Sequence, residues 1–245
     1  MTHDTSRHDE LFNKHCFREP VWVFGNGGTG GVVCECLVGL GVGQEWSPIH
    51  LCDPDCFEPH NVPTQLVTYH QAEYSAMKTD AVKQNLLTVN PEAVIHTYKH
   101  RAPHPSLPQV KGVVFLCLDN MKGRKEIIEE LLENNQAVGC VIDVRMDVPG
   151  ALAYCFNPND PFQIGCYFDE WYDDHDADEM LGCNNEHFAL RSSILGAGCL
   201  AMKRFEDFAK RGTTKDIPNY AKIVYHTGFF EMETWVDPTE NVDEI

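Results

Sequence analysis

Gly25, Gly27, Gly28 and Gly30 stand directly after the apolar run Val21, Trp22, Val23 and Phe24. Glycines at this spacing let a backbone turn sharply and approach a ligand without a Cβ clash. The run before them has the β-branched and aromatic bias of an interior parallel strand. The residues after them read as a helix. Such a unit aims the unpaired N–H groups at the helix start, and the positive end of its dipole, at an anion such as a phosphate. Asp53 closes the next apolar run about twenty residues further on, where an acidic residue accepts hydrogen bonds from ribose hydroxyls. A nicotinamide-dependent dehydrogenase shows this much too. The residues that separate the readings come later: Asp55, Asn61, Gln65, Lys78, Asp119, Asn120 and Arg124.

Taken in order, GNGGTGG at 25–31, Asp53 and Asp55, Asn61 and Gln65, Lys78, then Asp119-Asn120 and Arg124 resemble the ThiF/MoeB family. These are the ubiquitin-activating-enzyme-like adenylyltransferases, and the resemblance covers roughly residues 21–145. It implies ATP and Mg²⁺ as cofactors and a carboxylate substrate, the C-terminus of a ubiquitin-like or sulfur-carrier protein. A peptide carboxylate, as in peptide-antibiotic maturation, is compatible with the same residues. A homodimer or heterodimer is implied as well. By the same resemblance Lys78 serves the phosphates, Asp119 the magnesium ion and Asp53 the ribose. Asn61 and Gln65 shape the phosphate pocket, and the four glycines, Asp55 and Asn120 complete the nucleotide site. The chemistry explains the need for them. A carboxylate is a poor electrophile, and joining it to AMP supplies a leaving group. Its attack on the α-phosphate brings two anions together, which a lysine, an arginine and a metal ion can neutralise.

Thr64 departs from the family pattern, which has an arginine before the glutamine. The missing charge-assisted contact is worth ~1.5–3 kcal/mol. Arg7, Arg101, Arg145 or a second subunit are candidates to supply it. A non-catalytic scaffold, half of a heterodimer, is the reading that Thr64 favours; Lys78 and Asp119 count against it. An NAD-dependent oxidoreductase explains the glycine turn and Asp53, but neither Asn61 and Gln65 nor Lys78. Some family members pass the acyl group to a cysteine before a late small-residue helix. Cys183, with Glu186 and His187 nearby and SSILGAGCLAM following, occupies a similar place, and Cys166 is the next candidate. The family's threonine-rich stretch after that cysteine is absent.

The elements that must position these residues are legible in outline. The pattern predicts a short helix over 7–16, strands at 21–25, 48–52, 93–98, 113–118 and 138–143, and helices at 29–42, 77–89 and 122–135. Strands alternating with helices of this length predict an α/β, doubly wound, mostly parallel Rossmann-like sheet. A C-terminal extension of loop, helix and closing strands follows. Residues 1–20 form a lead-in, 21–145 the nucleotide-binding domain, 146–236 the C-terminal part of the same fold and 237–245 a tail. Within it, PGALAYCFNP reads as a strand, 157–187 as an acidic, aromatic, irregular crossover loop, 188–210 as a helix and 220–236 as one or two strands. The net charge of −18 argues against a nucleic-acid partner. No segment approaches a membrane span, and eleven cysteines without a secretory signal predict a reduced, cytoplasmic protein. There is no CxxC pair of the kind that structural zinc sites use.

Overall fold

A computed structural model describes residues 3–134, 137–147, 150–174, 191–211, 222–226, 229–233 and 235. The chain builds one eight-stranded sheet in the order β3-β2-β1-β4-β5-β6-β7-β8. Its first five strands are β1 (Val21–Phe24), β2 (Ile49–Cys52), β3 (Ile95–Tyr98), β4 (Lys111–Leu116) and β5 (Ala137–Asp147). All their pairings are parallel. Three antiparallel strands extend the β5 edge: β6 (Gly150–Phe156), β7 (Lys222–His226) and β8 (Phe229–Glu233). The sheet is therefore α/β and mostly parallel through its nucleotide-binding part, as the alternation predicts.

The central strands are apolar on both faces because helices cover both. Val21 and Val23 join the core beneath α1 (Gly28–Leu40) and α3 (Lys78–Val89), while Trp22 and Phe24 face the other layer. That second layer is α4 (Met121–Glu133), which buries Met121, Ile127, Ile128 and Leu131 and turns its glutamates outward. The late small-residue helix, α6 (Arg191–Arg211), packs on α1 as well as on the sheet. At Gly198 a Cβ would collide with Val32 of α1, so the glycine sets how closely the two helices cross. A short helix, α2 (Tyr69–Glu73), precedes α3.

Two expectations fail. Residues 7–16 do not form a helix; they make successive hydrogen-bonded turns. The Asn13 side chain accepts the His15 N–H, competing with helical pairing, while Phe12 and Phe17 are drawn into the core against Phe205. The stretch expected to be irregular from 157 contains a helix, α5 (Pro161–Asp169), on the α4 side of the sheet. Asp160 caps it by accepting the N–H groups of Phe162 and Gln163, with Pro161 in the first turn. The expected closing strands at 220–236 are two, β7 and β8.

Candidate functional site

The chain leaves β1 for β2 on one side and returns to β4 on the other. Where loops diverge in this way, a crevice opens beyond the carboxyl ends of the strands. Here it is a cleft of about 740 Å³, within the size range of small-molecule sites.

Its floor is the glycine turn. Gly25 has φ +86°, and a Cβ on it would lie 2.5 Å from the Cys117 carbonyl oxygen. A Cβ on Gly30 would collide with the Gly25 carbonyl. Gly27 is the N-cap of α1 and offers no side-chain cap, so the N–H groups of the first turn keep their capacity for a ligand. The nearest side chain above Gly27 is Gln65, whose Oε1 is buried without a hydrogen-bond partner. The open helix start offers donors to an acceptor such as a nucleotide phosphate, with Gln65 standing over the turn.

Asp53 is buried and both its oxygens are engaged: Oδ2 accepts the Asn26 N–H at 2.6 Å and Oδ1 the Asp55 N–H at 2.9 Å. It thus ties the glycine turn to the loop after β2. Burial pushes its carboxyl upward, against the Asn26 hydrogen bond and the charge of Lys78. Lys78 opens α3 and pairs with Asp55 at 3.0 Å over the same cleft. Asn61 is buried and accepts the Glu58 N–H at 2.9 Å, so it shapes its own loop as well as the cleft wall. Thr64 lines the cleft with its hydroxyl donated to the Asn61 carbonyl. Across the cleft, Asn120 caps α4 through Gly123 N–H and donates to Asp119 at 2.8 Å, which orients that carboxylate. The structure therefore brings Gly25, Gly27, Gly28, Asp53, Asp55, Asn61, Gln65, Lys78, Asp119 and Asn120 around one cavity, with Gly30 supporting the turn.

Among the described residues no group of three His, Cys, Asp or Glu side chains could hold a metal by itself. Asp119, exposed on the cleft and oriented by Asn120, would be the residue to hold a magnesium ion beside nucleotide phosphates.

Arg124 is placed differently from a phosphate arginine. It is buried, donates to the carbonyls of Leu116, Leu118 and Val144, and pairs with Asp143, so it fastens the end of β4 to the end of β5. Of the arginines considered in place of Thr64, Arg101 and Arg145 line the cleft and Arg7 does not. Arg101 is exposed and reaches Glu126 at 3.5 Å. Cys183, with Glu186 and His187, lies outside the described residues, and Cys166 sits on α5 away from the cleft lining. The ten described cysteines are not joined in disulfides.

Sequence reasoning named Arg145 as a candidate but missed the wall built around it. Asp143, Arg145 and the rings of Tyr154, Tyr167, Trp171 and Tyr172 form one cluster there. Burial pushes the Asp143 carboxyl up, but the guanidiniums of Arg124 and Arg145 outweigh it and hold its pKa below the ordinary value. The aromatics crowding the acidic stretch were the available signal: Tyr167, Trp171 and Tyr172 form part of the box around Arg145.

A parallel sheet with a glycine turn at its switch point, and acidic and amide groups around the crevice, defines a nucleotide-binding α/β protein. The ThiF family model matches residues 6–203, and the chain belongs to the ThiF family. That match extends the resemblance, read over 21–145, through α6. Comparison with curated protein sequences found no match. Among solved structures, the chain is similar to the Microcin C7 biosynthetic enzyme MccB in complex with N-formylated MccA. The two are 16% identical with a TM-score of 0.70, over 91% of this chain and 66% of that one. It is also similar to E. coli MccB with ATP (16% identity, TM-score 0.68, 91% and 65% covered). PaaA gives 16% identity and a TM-score of 0.66, over 95% of this chain and 70% of that one. The likeness is one of fold, and this chain spans just under two-thirds of the MccB chains' length.

Proposed function

We propose that the protein is an ATP-dependent adenylyltransferase that activates the carboxylate of a peptide or of a small carrier protein. The observation that carries this reading is the cradle at Gly27. The uncapped start of α1 opens into the cleft over Gly27, with Lys78 and Asp119 on the flanking walls. Membership of the ThiF family supports it, as does the nucleotide held by the similar MccB fold. MccB is also seen with its peptide MccA, which favours a peptide or protein tail as the acyl substrate here.

In this reading the α- and β-phosphates lie over the glycine turn, and Asp53 keeps that turn and the ribose-side loop in register. A carboxylate oxygen of the substrate attacks the α-phosphorus. The bond to the bridging oxygen breaks, pyrophosphate leaves with that electron pair, and an acyl adenylate remains. Lys78 offsets the charge gathering on the phosphates. Asp119 would hold a magnesium ion there, which would supply further neutralisation of the phosphates. Thr64 leaves the phosphate side one cation short, a gap that a second subunit would fill.

The test is ATP–pyrophosphate exchange with wild type and Asp119→Ala, in the presence of candidate peptides and ubiquitin-like carriers. Exchange that needs the carboxylate and falls about 100-fold or more in the variant is expected. ATP binding without exchange for any partner would instead favour the scaffold reading.

A further inference from the structure

Arg145 is a cation with unused donors. Its side chain is only 3% exposed, and its Nε donates to Asp143 at 2.8 Å. Nη1 and Nη2 are buried and have no hydrogen-bond partner. The guanidinium carbon lies 4.6 Å from the Tyr154 ring centroid, 5.1 Å from Tyr172, 5.3 Å from Tyr167 and 5.4 Å from Trp171. Ring faces stabilise the positive charge but accept little from N–H groups at the guanidinium edge. A buried donor left without an acceptor forfeits its hydration with no hydrogen bond in return. The neighbouring carboxylate cannot serve them, because Asp143 is already engaged by Arg124, by Arg145 Nε and by the Tyr167 hydroxyl. A guanidinium fork with free Nη groups matches the two oxygens of a carboxylate.

Its place in the sheet indicates which half of the cleft it serves. Phe24, Leu116 and Asp143 lie in one row across β1, β4 and β5. Two strand spacings put Asp143 of β5 roughly 10 Å from the start of the glycine turn. Asp143 and Arg145 share the α4 face, whereas the turn feeds α1 on the opposite face. On the same side of the cleft the start of α4 is already occupied, since Asp174 accepts the N–H groups of Met121 at 2.5 Å and Lys122 at 3.1 Å.

We infer that Arg145 binds the terminal carboxylate of the acyl substrate and presents it from the β5 side of the cleft. The assignment rests on the adenylation reading. It makes Arg145 a substrate-binding residue rather than the replacement for the arginine missing at Thr64. Trp171 and Tyr172, the partly exposed rings of the box, are the ones that shift to admit the carboxylate.

The test follows the side-chain ¹⁵N resonances of the arginines during titration with N-acetylglycylglycine, its C-terminal amide, and pyrophosphate. Arg145→Lys, which keeps the charge and loses the fork, identifies the Arg145 signals. Arg145 is expected to respond to the acid and not to the amide or pyrophosphate, with acid affinity about tenfold weaker in Arg145→Lys. Should that variant fail to fold, through-bond correlation from the Arg145 backbone to its Nε identifies the signals, and the acid–amide comparison on the wild type decides. No response to the acid, an equal response to the amide, or a response to pyrophosphate overturns the assignment. A parallel ATP titration keeps the two readings apart: loss of ATP binding would sink adenylation while leaving the carboxylate result standing.

Discussion

Asp53 illustrates how one side chain serves the fold and the site together. Its two oxygens each accept a backbone N–H from a different loop, so neither can be replaced by a donor. Asp53→Asn points an NH₂ group at one of those N–H groups. The expected cost is about 1–3 kcal/mol of stability, measurable as a lower urea midpoint, with a weakening of ATP binding measured by calorimetry. Lys78 and Asp119 differ, since their neighbours orient them without consuming them. Asn120 shows why single residues mislead in a sequence. It caps α4, the plain structural role, and through the same amide it orients Asp119.

At the scale of elements, the strand–turn–helix unit from β1 to α1 is fixed by close backbone approach. Gly30→Ala forces a methyl group onto the Gly25 carbonyl oxygen, and backbone cannot yield as a side-chain tip can. Loss of ATP binding together with a lowered melting temperature is expected, read by calorimetry and thermal unfolding. This unit was legible in the sequence because glycine spacing and a β-branched run have local causes. The alternation of strands and helices was legible for the same reason, and the site residues fell at strand ends as the topology requires. Two segments were not. The turns over 7–16 depend on Phe12 and Phe17 being pulled into a core that closes with Phe205, far along the chain. The box around Arg145 joins β5, β6, α5 and the residues after it, and no local pattern announces such a contact. The helix α5 did have a signal, Asp160-Pro161, which the acidic residues beyond it obscured.

For the whole molecule, acid sensitivity is expected to come in two stages. His50 stacks on Trp22 with ring centroids 4.2 Å apart, and burial, with His96 beside it, pushes its pKa from 6.5 down to about 4. A base with a depressed folded-state pKa contributes stability above its unfolded value, and that contribution is lost as pH falls from 6.5 toward 4. Asp143, also depressed, contributes above its ordinary value of 3.8 and loses its share only below that. Urea midpoints measured from pH 7 to 4 should therefore fall in the wild type and fall less in His50→Phe. The strand order has a consequence for synthesis on the ribosome. β1, the first strand to emerge, ends in the middle of the parallel sheet, and its partner β4 is made nearly ninety residues later. The apolar face beneath α6 waits longer still, until Phe205 is translated, roughly ten to forty seconds after β1 at ordinary elongation rates. Through that interval the nascent chain carries an uncovered hydrophobic surface, which makes it a natural client for ribosome-associated chaperones.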